Sequence, residues 1–147
     1  MATKGILSIP VTDKTYGAAQ RYFRDVVMPY EGDACLIWPF TRHSWGYGQV
    51  YAQGRMQCIH PILCEQERGP RPSPNHDAAH SCGNGHLACV TKRHLDWKTK
   101  KQNQADRLRH GTDGRGERHH STKLTTDEVR EIISLKGAMT QKEISLR

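Results

Sequence analysis

Hydrophobic and polar positions follow two different periods along this chain, and these periods predict where helices and strands lie. In residues 14–27 the apolar side chains recur at helical spacing and stop before a proline, which predicts one amphipathic helix. Residues 49–51 and 55–59 are short strand-like runs on either side of Gln53-Gly54, which predicts a β-hairpin. Residues 62–67 predict a short helix that a proline-rich run closes.

The second half of the chain predicts three further helices. The stretch that begins at Lys98 or Thr99 and runs to His110 contains neither proline nor glycine and predicts a basic helix that Gly111 ends. Residues 111–121 are typical of an extended linker. Capping boxes at residues 125–128 and 140–143 predict two short helices, the opening of a helix-turn-helix without its base-reading third helix. A helical hairpin packed on the main domain is the alternative.

The composition indicates a small chain with a lean core. The chain has 147 residues, a mean hydropathy of -0.77 and 35% hydrophobic residues, which suit one compact domain with appendages. A bound metal would help to stabilise a domain with so small a hydrophobic core. The start of the chain has no long apolar run, which predicts neither a signal peptide nor a membrane span, and therefore a cytoplasmic protein. Five cysteines in a reducing compartment favour metal ligation or free thiols over disulfides.

Positive charge is concentrated in one stretch of the chain. The net charge is +7, and residues 91–123 hold ten basic and four acidic side chains, so most of the excess lies there. Such a block favours a polyanionic partner such as nucleic acid. A solvated helix face and linker with no such role is the alternative.

Cysteine and histidine spacing predicts a zinc site. Cys82, Cys89 and His94 lie within thirteen residues, on a loop flexible enough to bring them to one ion. Zinc requires about four ligands in a tetrahedron, and we favour Cys35 as the fourth. The alternatives for that position are Cys58, Cys64 and His86. Four filled positions leave no room for a reactive water, so we expect a structural site.

Several short motifs between residues 33 and 112 carry a family resemblance. They are Cys35-Leu36-Ile37-Trp38, Gly46-Tyr47-Gly48, Gly69-Pro70-Arg71-Pro72, His80-Ser81-Cys82, Cys89-Val90, His94-Leu95 and the run from Asn103 through Asp106. Together they resemble the HNH, or His-Me finger (ββα-metal), endonucleases, in the zinc-loop branch of homing and phage-borne nucleases.

The resemblance implies a role for individual residues. His80 matches the general base, and Asn103 matches the residue that holds a catalytic Mg²⁺. The nine-residue step from His94 to Asn103 agrees with the spacing in that family. The family's zinc ligands match Cys35, Cys82, Cys89 and His94.

Three positions depart from the family pattern. Thr91 stands where the middle asparagine of the HNH signature braces the motif, and one hydroxyl in place of an amide predicts a weaker brace. Ala79 precedes the base where many relatives have a second metal-binding aspartate, which favours an Asn-only metal site. Pro61 replaces an arginine that faces the scissile phosphate. The arginines that could substitute for it are Arg55, Arg68 and Arg93.

The expected fold is α+β, with a small antiparallel sheet, a zinc-stapled ββα-metal finger, an N-terminal helix and a C-terminal partial helix-turn-helix. The predicted segments are an N-terminal helical segment (1–32), the zinc-stabilised HNH nuclease domain (33–112), a basic linker (113–123) and the partial helix-turn-helix (124–147).

The expected function is a Mg²⁺-dependent endonuclease that nicks or cuts double-stranded DNA in the cytoplasm of a bacterial or phage-infected host cell. Phosphate contacts are expected from Lys98, Lys100, Lys101, Arg107 and Arg109. No membrane partner is expected, and a homodimer stays open. The alternative is a catalytically weak or inactive zinc-stabilised module that binds DNA.

Overall fold

The computed structural model describes residues 5–144 and divides the chain into two compact units, one ending at Gly111 and the other beginning at Thr112. The first unit is a small α+β fold, which confirms the fold class predicted from the sequence. Within the described residues, every helix is too short or too polar to span a membrane.

The strands of the first unit form three separate two-stranded pairs, where the sequence predicted one small sheet. In chain order the strands are β1 (Ile6–Leu7), β2 (Cys35–Leu36), β3 (Gln49–Ala52), β4 (Arg55–Cys58), β5 (His76–His80) and β6 (Leu95–Thr99). β1 and β2 pair in parallel, whereas β3 with β4 and β5 with β6 are antiparallel. Two-stranded pairs are marginal by themselves, so packing against helices and loops must hold them.

The β3–β4 hairpin lies where the sequence predicted it. Its turn residues Gln53 and Gly54 both have positive φ angles, 51° and 77°, as the two-residue turns that match the twist of a hairpin require. The turn fixes the register, which places Gln49 opposite Cys58.

The helices of the first unit differ from their predicted bounds for local reasons. They are α1 (Ala18–Tyr22), which continues as a π-helical turn over Phe23–Val27, α2 (Ile59–Arg68) and α3 (Lys100–His110). α1 begins four residues later than predicted, because Gly17 before it has a left-handed φ of 80°. α2 begins three residues earlier than predicted, because Pro61 falls in the first helical turn, where a missing N–H costs nothing.

α3 follows β6 directly and is capped at both ends. The Thr99 hydroxyl accepts the Gln102 N–H and the Gln102 side chain accepts the Thr99 N–H, which forms a capping box. Gly111 ends the helix with a left-handed φ of 67°. α3 packs against both β5 and β6, so the order of this region is strand, loop, strand and helix.

The core lies between α1, β2, β3, α2 and the loop that joins β5 to β6. Trp38 is completely buried and meets Tyr22 and Phe40 at ring-centroid distances of 5.7 and 5.1 Å. The buried cluster comprises Tyr22, Val27, Leu36, Trp38, Val50, Ile59, Leu63, Cys64, Ala88, Val90 and Leu95. Since three members belong to residues 88–95, the loop that precedes β6 is part of the core and is fixed by it.

The second unit contains two helices, α4 (Thr126–Leu135) and α5 (Gln141–Ile144), after a short 3₁₀ turn at Gly116–Arg118. Both predicted capping boxes form: Thr125 exchanges hydrogen bonds with Glu128, and Thr140 does so with Glu143. The predicted end of the second helix at Arg147 lies outside the described residues.

Candidate metal centre and histidine pocket

Four side chains that lie far apart in sequence meet at one point. The ligand atoms of Cys35, Cys82, Cys89 and His94 all lie within 4.8 Å of one another. Cys35 begins β2, Cys82 follows β5, and Cys89 forms an isolated bridge with Ile37 beside β2. His94 ends a 3₁₀ turn just before β6. These are the four residues predicted from the sequence as zinc ligands, and they form a candidate metal site.

The spacing of these atoms suits a small tetrahedral ion. His94 Nδ1 lies 3.6 Å from Cys35 Sγ and 3.5 Å from Cys89 Sγ. Zn–S bonds of about 2.3 Å in a tetrahedron place neighbouring ligand atoms roughly 3.8 Å apart. Three sulfur donors and one imidazole form a donor set of the kind found in structural zinc sites. The residues present therefore fit zinc.

Neighbouring groups orient the ligands. His94 Nε2 lies 3.0 Å from the carbonyl oxygen of Asp33 and 3.3 Å from its Oδ1, so this nitrogen carries the proton and Nδ1 keeps its lone pair for the cluster. Asn84 donates its side-chain N–H to Cys35 Sγ at 3.1 Å and its backbone N–H to Cys82 Sγ at 3.4 Å. Sequence reasoning missed both Asp33 and Asn84. The glycines flanking Asn84 were the one signal of a tight turn there.

Charge within the cluster is shared unequally by the thiols. Donation of a hydrogen bond by the Cys89 thiol lowers the pKa of Cys82 to about 3. The same interaction, together with burial, raises the pKa of Cys89. Burial also raises the pKa of Cys35. These hydrogen bonds favour the thiolate form at Cys82, and a zinc ion bound to the cluster would favour that form at all three cysteines.

The three alternatives considered for the fourth ligand lie outside the cluster. Cys64 is completely buried in the core, where burial raises the pKa of its thiol to about 11. Cys58 ends β4 and is half-buried, and His86 is exposed. Cys64 thus acts as a small hydrophobic core residue.

His80 is the last residue of β5 and is buried against the loop of residues 81–94, here called the metal loop. Its Nε2 lies 3.0 Å from the carbonyl oxygen of Cys89. Because a carbonyl can only accept, Nε2 carries the proton in this contact and Nδ1 holds the free lone pair of the neutral ring. Burial lowers the pKa of His80, which favours that neutral form.

Tyr47, His60 and Gly85 surround the His80 ring, and these four residues are here called the histidine pocket. The Tyr47 ring lies nearly parallel to it, with a centroid distance of 6.0 Å and an interplanar angle of 20°, and the His60 ring lies at 5.6 Å. Burial lowers the pKa of His60 to about 3, and His80 adds a smaller effect in the same direction. A Cβ added to Gly85 would lie 2.7 Å from His80 Nδ1, so the ring fits here only because this residue is glycine.

Asn103 lies on α3, apart from the Cys₃His cluster. It is half-buried, and its helix packs against β5, the strand that ends at His80. Within residues 5–144 its side-chain amide forms no hydrogen bond. The amide is therefore available to a ligand.

Thr91 is completely buried and joins two parts of the first unit. Its hydroxyl donates to the carbonyl oxygen of Ala34 at 2.7 Å and accepts the N–H of Leu36 at 2.8 Å. These two backbone groups flank the ligand Cys35. The single hydroxyl therefore fixes the strand that presents Cys35 against the loop that presents Cys89.

The basic residues predicted to contact DNA divide into two groups. Lys98 and Arg109 both pair with the buried carboxylate of Asp106, and the Lys98 contact lowers the pKa of that carboxyl. Since Lys98 lies on β6 and Asp106 on α3, this pair fastens the helix to the strand. Lys100, Lys101 and Arg107 are the other members of the predicted set, and all three are exposed on α3.

Comparison with known proteins gives a relationship to a phage protein. Neither a family model nor a solved structure matches this chain. Protein 7.7 of Escherichia phage T7 is 32% identical over 100 residues, which cover 68% of this chain and 74% of that protein. At this identity and coverage, the chain belongs to the family of Protein 7.7 of Escherichia phage T7.

Proposed function

We propose that this protein is an HNH-type, Mg²⁺-dependent endonuclease that cleaves DNA phosphodiester bonds, with His80 as its general base. The observation that carries the proposal is the state of His80. Its Nε2 contacts the Cys89 carbonyl, its ring fits beside Gly85 only because that residue has no side chain, and its pKa is lowered by burial. A neutral, oriented imidazole with one free nitrogen is what removal of a proton from water requires.

The chemistry needs a water that becomes nucleophilic near neutral pH. In the proposed step, His80 Nδ1 takes a proton from water while the water oxygen bonds to phosphorus. The bond from phosphorus to the 3′-oxygen then breaks, and the departing oxygen takes a proton from solvent, which leaves 5′-phosphate and 3′-hydroxyl ends. His80 then releases the proton it took to solvent. Tyr47 and His60 hold the imidazole ring in its orientation throughout.

Asn103 is the proposed Mg²⁺ ligand. Bound there, the ion supplies charge neutralisation at the scissile phosphate and the departing 3′-oxygen. One carboxamide is a weak anchor for Mg²⁺, so phosphate oxygens and water must complete the shell. Metal and DNA would therefore bind together. The unpaired amide of Asn103 and the packing of its helix on β5 support this role.

The Cys₃His cluster is the proposed structural zinc site. Zinc held by Cys35, Cys82, Cys89 and His94 would be fully coordinated by protein and would cross-link β2 to the loop before β6. That loop also supplies the carbonyl that holds His80. The order of β5, metal loop, β6 and α3 agrees with the ββα-metal arrangement that we propose for this region.

Exposed basic side chains on α3 are the proposed phosphate contacts. Lys100, Lys101 and Arg107 supply affinity without reading sequence. Lys98 and Arg109, already paired with Asp106, would contribute less. For the family arginine that Pro61 replaces, Arg68 is the best substitute, because its Nε bonds Leu95, the cross-strand partner of His80. The kinship with a phage protein supports action inside a bacterial or phage-infected cell.

A second candidate is a zinc-stabilised DNA-binding module that cleaves weakly or not at all. It is favoured by Thr91 and Pro61, which replace two residues of the family pattern, and by His80 itself, which is only 9% exposed.

Plasmid relaxation with Mg²⁺ tests the proposal. Wild-type protein should nick or linearise supercoiled DNA, and His80→Ala should lose this activity while retaining its fold. His86→Ala is the matched control, because His86 is an exposed histidine that lies close to His80 in the sequence. Asn103→Ala should keep DNA binding and lose most cleavage. Equal cleavage by wild type and His80→Ala would refute the catalytic role, and binding without cleavage by wild type would establish the second candidate.

A further inference from the structure

Trp45 differs from the other two tryptophans of the chain in its exposure to solvent. It is 73% exposed, whereas Trp38 is completely buried and Trp97 is half-buried with its indole N–H donated to the Gly69 carbonyl at 2.9 Å. An indole in water leaves a large apolar face without a partner. An exposed indole on an ordered loop can stack on a ligand that has a flat face of its own.

The loop of residues 41–48, here called the Trp45 loop, is ordered by backbone hydrogen bonds. The N–H of His43 donates to the Tyr47 carbonyl at 2.7 Å, and that of Gly46 donates to the His43 carbonyl at 2.8 Å. The His43 ring lies 5.0 Å from the indole of Trp45. His43 Nδ1 accepts the backbone N–H of Trp45 at 3.3 Å. Trp45 is therefore presented by a preformed turn and would lose little entropy on binding.

The Trp45 loop is seated against the metal loop and the histidine pocket. Gly46 has a φ of 88° and approaches the His86 carbonyl so closely that any Cβ would overlap that oxygen. Tyr47, the next residue, is the one whose ring lies parallel to His80. Because Trp45 and Tyr47 are two residues apart, their Cα atoms lie within roughly 7 Å. The backbone of Trp45 thus lies close to the residue that stacks on the candidate base.

We propose that Trp45 stacks on an unpaired nucleobase beside the phosphate that faces His80, so that the preferred substrate is DNA with an unstacked base at the cleavage site. This inference rests on the proposed nuclease function. Every base offers a π-face to an aromatic ring, and the net charge of +7 favours a nucleic acid over a neutral partner. The side chains beside the indole, His43 and Ser44, are polar, whereas a protein interface would need an apolar patch around it.

Binding measured without cleavage tests the inference. Fluorescence anisotropy with Ca²⁺ in place of Mg²⁺ would compare three labelled probes: a paired duplex, the same duplex with one unpaired base, and its single strand. Trp45→Ala should weaken binding to the two probes with unpaired bases by roughly 5- to 150-fold, the range typical for loss of one stacked base. Trp45→Phe should retain most of the affinity, and the paired duplex should change least.

The matched control is Tyr16→Ala, which removes an aromatic side chain that is 99% exposed outside the Trp45 loop. It should bind all three probes as wild type does. Addition of unlabelled probe with an unpaired base should also quench the tryptophan fluorescence of wild type but not that of Trp45→Phe. Unchanged affinity of Trp45→Ala, or an equal loss on the paired duplex, would overturn the inference.

The failure of this inference is separable from the failure of the proposed function. His80→Ala should bind the probe with an unpaired base as wild type does and should fail to cleave plasmid. If His80→Ala cleaves normally while Trp45→Ala loses affinity, the nuclease assignment of His80 fails and the stacking role stands. If His80→Ala loses cleavage and Trp45→Ala binds normally, the stacking role alone fails.

Discussion

The Nε2 of His80 lies 3.0 Å from the carbonyl oxygen of Cys89, so the backbone of one candidate metal ligand holds the candidate base. The thiol of Cys89 faces the Cys₃His cluster while its carbonyl faces the histidine pocket. A metal in the cluster would therefore fix the imidazole through one residue. Structural and catalytic roles are coupled by this contact, and each can be disturbed separately by mutation.

Removal of the cluster metal should unfold the first unit. Cys82→Ser, or a strong chelator, should lower the free energy of unfolding by several kcal/mol, comparable with the whole stability of a small domain. Circular dichroism melting and zinc content per chain would measure this. Cys58→Ser is the control, because Cys58 is a half-buried cysteine outside the cluster. A melting temperature that chelation leaves unchanged would contradict the structural role.

Loss of the Thr91 hydroxyl should destabilise the junction between β2 and the metal loop. Thr91→Val keeps the shape but leaves the buried N–H of Leu36 without this partner, at a cost of about 1–3 kcal/mol. The half-buried carbonyl of Ala34 still accepts the Tyr30 hydroxyl. Thr91→Ser keeps both hydrogen bonds and should cost about 1 kcal/mol for the lost methyl group. Urea denaturation would compare the two. Equal stability of the Val and Ser variants would show that the hydroxyl does not brace the junction.

Thr91 also illustrates what the sequence could and could not predict. The sequence placed it at the bracing position and predicted a weaker brace, because a hydroxyl has fewer polar atoms than an amide. The structure shows one hydroxyl donating and accepting at once. Features that depend on residues close in sequence were predicted correctly. They are the capping boxes, the hairpin turn and the approach of Cys82, Cys89 and His94 to one another.

Contacts between segments that are distant in sequence produce no local pattern from which they could be predicted. Asp33 approaches His94 across 61 positions of sequence, and Lys98 reaches Asp106 from a strand to a helix, outside any helical spacing. The proximity of Tyr47 and His60 to His80 arises because the Trp45 loop and α2 pack on the same strand end. Only tertiary packing brings these groups together, so periodicity and spacing could not predict them.

Gly85→Ala should impair the histidine pocket while leaving most of the fold intact. The added methyl would lie 2.7 Å from His80 Nδ1 and 2.9 Å from the Tyr47 ring, so both rings must move. A displacement of about 1 Å at a reacting group costs on the order of a hundredfold in rate. Gly114→Ala is the control, because a Cβ there meets open space. Plasmid cleavage and melting temperature would be measured together for both variants. A Gly85→Ala variant that folds and cleaves as wild type does would contradict this geometry.

The buried His60 should make the protein acid-labile over a defined pH range. Burial lowers its pKa from 6.5 to about 3, so between these values the unfolded chain binds a proton that the folded chain does not. Stability is therefore lost as the pH falls from about 6.5 towards 3.

His60→Phe keeps a ring against Tyr47 and removes the proton site, so its stability should fall less over that interval. Chemical denaturation at several pH values would give the free energy of unfolding of wild type and of His60→Phe. Acid also affects the cysteine ligands, but both proteins contain them, so this effect cancels in the difference between the two. His86→Phe, at an exposed position, should follow the wild-type pH dependence. Parallel curves for wild type and His60→Phe would show that His60 is not buried in its neutral form.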